Sequence, residues 1–88
     1  MLELEVTNQF KRDLKLAKKR GKNKEKLDEV VEVLLQEKPL PQKYQDHPLS
    51  GNYKDHRDCH IEPDWLLIYR ITSQNLILVR TGSHSDLF

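Results

Sequence analysis

The sequence predicts an α+β fold in which two N-terminal helices pack on a four-stranded antiparallel sheet, in the order β-α-α-β-β-β. Three observations predict it: an alternating strand-like segment at the N terminus, two segments with helical apolar stripes, and three apolar strands in the C-terminal half. With 88 residues, of which 36% are hydrophobic, the chain has material for one small core. We therefore expect a single domain over residues 1–88.

The first strand and the first helix have clear local signals. Leu2, Leu4 and Val6 alternate with glutamates, which is the period-two pattern of a half-buried strand. Thr7 is a suitable N-cap for the helix that follows. Gly21 follows a basic last turn and is expected to end that helix.

The second helix is predicted by its cap and by its periodicity. Asn23 can accept a hydrogen bond from the first turn, and Pro39 and Pro41 stop the helix. Its apolar residues recur at the spacing of one helical face: Leu27, Val30, Val31, Leu34 and Leu35. A long proline-containing connection is expected to follow, from Lys38 to Gly51.

Three strands are expected in the C-terminal half, at about 53–61, 66–72 and 76–81. The "TSQN" stretch predicts a turn between the last two strands. No helix signal follows Gly82, so "GSHSDLF" is expected to be a short tail.

Positive charge is concentrated in one part of the chain, although the net charge is only +1. This clustering favours a surface that contacts phosphate groups, whose counterions are released on binding. The alternative is that the lysines only solvate an exposed helix. The residues in question are Lys11, Lys15, Lys18, Lys19, Arg20 and Lys22.

Other features indicate the compartment. The single cysteine cannot form an internal disulfide, and no secretory signal pattern is present, so a reducing cytoplasm is expected. The longest strictly apolar stretch, Trp65 to Tyr69, is too short to span a bilayer, so no membrane association is expected.

The stretch "RDCHIEPDW", residues 57–65, places several ionisable side chains directly before an apolar strand. In an extended strand, His56, Asp58 and His60 project to one face, because successive side chains alternate. The Glu-Pro-Asp sequence predicts a turn, which places Asp64 and Trp65 at the rim of the sheet.

These residue types suit the cleavage of an RNA phosphodiester. The reaction needs a base for the 2′-hydroxyl, an acid for the departing 5′-oxygen and a cation for the phosphate, and histidine can serve as either acid or base. Strand pairing can bring Arg80 and His84 beside His60, and the "DHP" loop can supply His47. Trp65 offers a ring on which a base can stack.

Each candidate also has a structural interpretation. His56 lies among charged neighbours and is expected to be solvent-exposed. Asp58 can form a structural pair with Arg57, Trp65 can belong to the core, and Cys59 is expected to act as a small buried apolar residue. No G-x-S-x-G motif surrounds the C-terminal serines, which argues against a serine hydrolase.

Three motifs together, "QDHPLSG", "RDCHIEPDWLLIY" and "RTGSHSDLF", resemble those of the YafQ family of bacterial toxins within the RelE/ParE superfamily. The resemblance extends over nearly the whole chain. It implies the toxin of a type II toxin–antitoxin pair: a ribosome-dependent endonuclease that cuts mRNA at A-site codons without a metal or cofactor. The implied partners are a cognate antitoxin, the 70S ribosome and mRNA, and operator DNA contacted through the antitoxin.

The resemblance also implies roles for individual residues. The family's acid–base residues fall on His47, His60, Asp64 and His84, and its phosphate-binding arginine falls on Arg80. His84 is then the general acid, and either His47 or Asp64 the general base. Further active-site positions coincide with Asp58, Trp65 and Phe88.

Two alternatives remain open at this point. A ParE-like toxin has the same fold but inhibits DNA gyrase without acid–base catalysis, and the histidines argue against it. A zinc site formed by His47, Cys59, His60 and His84 is the other alternative. Neighbouring residues of a strand face opposite ways and no paired ligand motif is present, which argues against the zinc site.

Overall fold

The computed structural model describes all 88 residues and has an α+β fold with a five-stranded mixed sheet. Two short 3₁₀ turns, Gln42–Tyr44 and Gly51–Tyr53, lie in the long connection after the second helix. The helices and strands are β1 (Glu3–Val6), α1 (Asn8–Lys19), α2 (Lys24–Leu35), β2 (His47–Pro48), β3 (Arg57–Glu62), β4 (Trp65–Ile71), β5 (Asn75–Gly82) and α3 (His84–Leu87).

The sheet differs from the predicted four antiparallel strands in two respects. Its order is β1-β5-β4-β3-β2, and β1 runs parallel to β5, with Glu3 opposite Asn75 and Val6 opposite Leu78. The alternating pattern of β1 indicates a strand but carries no information about the direction of a partner some 70 residues away. The extra strand, β2, has only two residues, too few for any periodicity to predict it.

The first two helices begin and end where the sequence predicts. The Thr7 hydroxyl accepts a hydrogen bond from the Phe10 N–H at 2.9 Å, and the Asn23 side chain accepts one from the Glu25 N–H at 3.0 Å. Gly21, just after α1, has a φ of +84°, in the left-handed region that glycine adopts without strain. The helix boundaries are therefore encoded in local capping chemistry.

The expected C-terminal tail is instead a helix, α3. Ser83 caps it: its hydroxyl accepts from the Asp86 N–H at 3.2 Å, and the Asp86 carboxylate accepts from the Ser83 N–H at 2.9 Å. Leu87 of this turn is buried against Leu66 and Ile68. One turn is too short to show a helical apolar period, which explains why the prediction of a tail was wrong.

The third strand also starts later than predicted. Residues 51–53 form a 3₁₀ turn and Asp55 has a φ of +67°, so the chain reaches extended geometry only at Arg57. The two remaining strand predictions agree with β4 and β5 to within one residue at each end.

The two faces of the sheet are covered unequally. Helices α1 and α2 cover one face and enclose the main core, which contains Phe10, Val30, Trp65, Tyr69 and Leu76 among others. The opposite face carries only a small apolar cluster beneath α3. Polar side chains on that second face can therefore reach solvent, and the candidate site lies there.

Candidate active site

Strand pairing aligns the predicted site residues on the face opposite α1 and α2. His47 lies opposite Asp58 in the β2–β3 pair, Asp58 lies opposite Ile68, and Ile68 lies opposite Arg80. Residues directly opposite in an antiparallel pair project to the same face, so these four form one row across the sheet. His60, two positions along β3 from Asp58, belongs to the same face.

Three imidazoles converge in a line at this position. The ring centroids of His47 and His60 lie 6.4 Å apart, and those of His60 and His84 lie 5.4 Å apart, both pairs in edge-to-face orientation. The rings come from β2, β3 and α3, which are separated by long stretches of the chain. The expected convergence of distant histidines is thus present in the structure.

His84 is oriented by Asp64, which lies in the turn between β3 and β4. One carboxylate oxygen of Asp64 accepts the backbone N–H of His84 at 2.8 Å and contacts its Nδ1 at 2.6 Å. Both bonds hold the pKa of Asp64 below its usual value, and the bond from the backbone N–H has the larger effect. The carboxylate is therefore ionised. An ionised carboxylate can only accept, so Nδ1 of His84 donates and Nε2 is left for chemistry.

His47 is oriented by a carbonyl group. Its Nδ1 lies 2.7 Å from the backbone oxygen of Gln45, and a carbonyl oxygen can only accept, so Nδ1 carries a proton. Its other nitrogen, Nε2, lies 3.1 Å from Oδ1 of Asp58. His47 and His84 therefore share one arrangement: Nδ1 makes the hydrogen bond that fixes the ring, and Nε2 points away from that bond.

Asp58 lies beneath the imidazoles with only 3% of its surface exposed. Its Oδ1 atom makes no hydrogen bond, and its contact with His47 becomes an ion pair only when the imidazole carries a second proton. Burial raises the pKa of Asp58, and the positive charge of His47, His60 and His84 opposes that rise.

Arg80 lies at the edge of this face, where it is held by α1. Its Nε and Nη2 bond the two carboxylate oxygens of Asp13 at 2.9 and 3.0 Å. The Asp13 carboxylate also accepts a hydrogen bond from the Thr81 N–H at 3.2 Å. Thr81 lies in the part of β5 that does not pair with β1. Asp13 raises the pKa of Arg80 further, so the guanidinium keeps its charge.

The aromatic residues of the site are placed differently from the prediction. Trp65 is 1% exposed, and its Nε1–H donates to the Thr81 hydroxyl at 2.8 Å, so it is a core residue with no open face for a base. Phe88 is 63% exposed, with its ring 6.1 Å from that of Tyr53. Phe88, with Tyr53 beside it, is therefore the aromatic surface that a base can reach.

Two residues important to the site were not found from the sequence. Tyr53 contacts both Phe88 and His56, but it lies in an irregular segment with no pattern to mark it. Gln45 acts through its backbone oxygen, which any residue can supply, so no sequence signal indicates it. His56 contacts Tyr53 and lies outside the line of three imidazoles.

The basic residues fall into two groups. Arg20 and Lys22 are paired within the chain, with Asp86 at 2.6 Å and with Glu62 at 2.9 Å, so part of their charge is already neutralised. The remaining four have no acidic partner and recur at the spacing of one exposed helical face on α1: Lys11, Lys15, Lys18 and Lys19. We call these four residues the lysine stripe.

The zinc alternative requires Cys59 beside His60. Cys59 is fully buried in the main core, on the face of the sheet opposite the imidazoles, and burial raises the pKa of its thiol to about 12. No group of three or more histidine, cysteine or acidic side chains is placed to hold a metal ion. No helix of the structure is both long and apolar enough to cross a membrane.

Both the sequence and the fold have similar relatives among known proteins. A family model described as the bacterial toxin of type II toxin–antitoxin systems, YafQ, matches residues 2–88. The mRNA interferase toxin YafQ of Escherichia coli strain K12 is 46% identical over 87 residues, which cover 98% of this chain and 95% of that protein.

Solved structures agree with this similarity. YafQ from E. coli strain BL21(DE3) has a TM-score of 0.94 at 44% identity, and the alignment covers 100% of this chain and 99% of that one. A chain of the E. coli DinJ–YafQ complex has a TM-score of 0.93 at 45% identity, with the same coverage. A metal-bound toxin from Helicobacter pylori has a TM-score of 0.94 at 50% identity, with both chains covered in full.

Proposed function

The chain belongs to the YafQ family of toxins of type II toxin–antitoxin systems, and from this premise we propose that it is an mRNA interferase, an endoribonuclease that cuts messenger RNA. The observation that carries the proposal is the line of three imidazoles, two of them oriented through Nδ1, above the buried carboxylate of Asp58. Such a cluster can both remove and supply a proton at one phosphodiester.

In the proposed mechanism, Nε2 of His47 takes the proton of the 2′-hydroxyl, and the 2′-oxygen attacks the phosphorus. The bond to the 5′-oxygen breaks, and Nε2–H of His84 donates a proton to that oxygen. The products are a 2′,3′-cyclic phosphate and a 5′-hydroxyl. The two proton transfers balance, because one imidazole gains the proton that the other loses.

Between the two candidate bases, His47 has the stronger support. Asp64 already accepts two hydrogen bonds from His84, and its lowered pKa makes it a weak base. The imidazolium that forms on His47 is stabilised by Asp58 at 3.1 Å. His60, between the two rings, is proposed to polarise both of them.

Arg80 is proposed to neutralise the scissile phosphate. Asp13 occupies two of its guanidinium nitrogens, so Nη1 is the proposed contact for a phosphate oxygen. Phe88 is proposed to stack on a base of the RNA because its ring is exposed. The buried Trp65 is proposed instead to support the strand from which the site is built.

Cleavage is proposed to occur on the 70S ribosome, at the codon in the A site. The imidazoles lie on an open face that offers few contacts to hold a flexible strand in line for attack. Positioning of this kind is worth roughly 7–11 kcal/mol when it is provided in full, and a ribosome can supply part of it. The lysine stripe is the proposed contact to ribosomal RNA.

The proposed partner in the resting cell is a cognate antitoxin. The similarity to a chain of the E. coli DinJ–YafQ complex supports this, since that toxin is bound to another protein. An acidic segment of the antitoxin would complement the lysine stripe, and operator DNA would be contacted through the antitoxin. We place the pair in the cytoplasm, where ribosomes and mRNA are found.

The test is to map the 5′ ends of mRNA in a purified translation system, with and without ribosomes, using the wild type and His84→Ala. The wild type should cut within codons only when ribosomes are present. His84→Ala should cut about 10²–10⁴-fold more slowly while still binding antitoxin. Intact mRNA together with DNA damage in cells would instead support inhibition of DNA gyrase.

A further inference from the structure

A groove of about 470 Å³ opens beside His60 and outside the line of imidazoles. Its volume lies within the range of about 300–1,000 Å³ that is typical of small-molecule sites. It is bounded by α2, the 3₁₀ turn Gln42–Tyr44 and the end of β3. His60 forms part of its wall, so the groove and the candidate active site share this residue. The side chains that matter here are Lys26, Glu29, Lys43, Tyr44, Gln45 and Glu62.

The charges along this groove are balanced. Lys26 and Lys43 are matched by Glu29 and Glu62, and the Glu62 carboxylate accepts hydrogen bonds from Lys22 at 2.9 Å and from Lys26 at 2.7 Å. A site for a bare phosphate would carry net positive charge. A balanced lining with many donors and acceptors is better suited to a neutral base and its ribose.

An aromatic ring lies in the groove in a position that a base can use. Tyr44 is partly buried against the main core, and the ammonium of Lys43 lies 5.0 Å from the centroid of its ring. A lysine side chain is flexible and can leave the ring when a base approaches. The base then stacks on Tyr44, and the ammonium becomes free to meet a phosphate oxygen.

The groove is also connected to the proposed base of the reaction. Gln45, whose φ of +49° places it in the left-handed region, lines the groove and holds Nδ1 of His47 through its carbonyl oxygen at 2.7 Å. A ligand that contacts Gln45 therefore touches the residue whose carbonyl oxygen orients His47. Binding in the groove and orientation of the reactive imidazole depend on the same short segment.

We propose that this groove binds the base and ribose of the nucleotide that flanks the scissile phosphodiester, and that it helps to select where the RNA is cut. The inference rests on the proposed function, because it deepens the site of that reaction. It assigns to Tyr44 a stacking contact and to Lys43 a contact with the adjoining phosphate.

The experiment compares Tyr44→Leu and Lys43→Gln with the matched control Lys38→Gln, which removes an exposed lysine outside the groove. The first readout is the change in backbone amide shifts on addition of a mixed-sequence hexamer of 2′-O-methyl RNA, which cannot be cut because its nucleophile is blocked. The second readout is the frequency of cleavage sites and the KM for mRNA in the translation system.

We expect the hexamer to shift the amides of residues 43–45 in the wild type and in the control. Tyr44→Leu should weaken binding by about tenfold, the effect of losing one stacked base. Both groove variants should change the base preferred at one position beside the cut and raise KM, while the pH profile of cleavage keeps its shape. Lys43→Gln keeps the test informative if Tyr44→Leu does not fold.

The failure of this inference can be distinguished from the failure of the proposed function. If the wild type cuts RNA but its groove amides do not respond to the hexamer, the subsite alone is overturned. The same holds if the groove variants keep the cleavage sites of the wild type. A wild type that cuts no RNA, but whose groove amides respond to the hexamer in a Tyr44-dependent way, would overturn the proposed function and leave an RNA-binding groove.

Discussion

Asp58 is the residue whose environment differs most from that of an ordinary surface carboxylate. It is buried, one of its oxygens makes no hydrogen bond, and three imidazoles supply the compensating positive charge. A buried carboxylate that lacks a donor is costly unless it is neutralised or paired. We infer that Asp58 serves the reaction by stabilising positive charge on His47, at a cost in folding stability.

Asp58→Asn tests this through the pH dependence of stability. Burial raises the pKa of Asp58 above 3.8, so the folded protein holds this proton at pH values where the unfolded chain has lost it. The free energy of unfolding of the wild type should therefore fall, relative to that of the variant, as the pH rises from 3.8 through the raised pKa. Urea unfolding of both proteins at a series of pH values measures the difference.

The control for this measurement is Asp28→Asn, at an exposed position of α2. A pH-independent difference between the wild type and Asp58→Asn would show that the buried carboxyl does not titrate in this way. Cleavage by Asp58→Asn should also be slower, because the imidazolium of His47 loses its partner at 3.1 Å.

Single residues were predicted unequally well from the sequence. His47, His60 and His84 were expected to meet, and they do. Strand alternation fixes the face of His60, whereas His47 and His84 are brought to it by β2 and α3, which the sequence did not predict. Trp65 was expected to stack on RNA and is buried instead. A tryptophan at the start of an apolar strand can lie at the rim of the sheet or in the hydrophobic core. Here the hydrogen bond from its Nε1–H to the Thr81 hydroxyl belongs to the core position.

At the scale of elements, α3 determines where His84 lies. A single helical turn is not stable by itself, because few backbone hydrogen bonds repay the ordering of its residues. Contacts outside the helix hold it in place: the Ser83 cap, the Arg20–Asp86 pair at 2.6 Å, and the bond from the His84 N–H to Asp64. The position of the proposed acid therefore depends on two distant parts of the chain.

Ser83→Ala should loosen α3 without unfolding the domain. Loss of such a cap costs about 1 kcal/mol, and the main core does not include this turn. We expect faster hydrogen exchange at the amides of Asp86 and Leu87, slower RNA cleavage, and a melting temperature lowered by only about 4–8 °C. Hydrogen exchange followed by NMR and a cleavage assay measure the two effects.

Ser50→Ala is the matched control, since Ser50 precedes a 3₁₀ turn but its side chain makes no capping hydrogen bond. If exchange in α3 and cleavage were the same in both variants and the wild type, the cap would not be what holds His84 in place.

At the scale of the whole molecule, the lysine stripe and the imidazoles lie on opposite sides. The stripe occupies the outer face of α1, whose inner face packs on the sheet, and the imidazoles lie on the other face of that sheet. The molecule measures 33 × 29 × 27 Å. A partner that contacts both must therefore surround the protein, as a ribosomal cavity or a wrapping antitoxin would.

This separation predicts that binding and chemistry can be changed independently. Replacing Lys11, Lys15, Lys18 and Lys19 by glutamate should weaken ribosome binding, and the slope of log affinity against log salt concentration should fall by about one for each lost phosphate contact. Sedimentation with ribosomes at several salt concentrations measures this. The matched control is Lys38→Glu. If the wild type, the stripe variant and the control bound ribosomes equally well, the lysine stripe would be only a solvated helix face.

The sequence by itself determined the features that depend on neighbours a few residues away: the caps and ends of α1 and α2, the positions of β4 and β5, and the alternation that puts Asp58 and His60 on one face. Tertiary structure alone decided the direction of β1, the two-residue strand that carries His47, the turn that carries His84 and the pairing of Arg20 with Asp86. The physical reason is range. Capping bonds and apolar periodicity act within one or two turns of chain, whereas these contacts join segments 11 to about 70 residues apart, whose meeting depends on how the whole core packs.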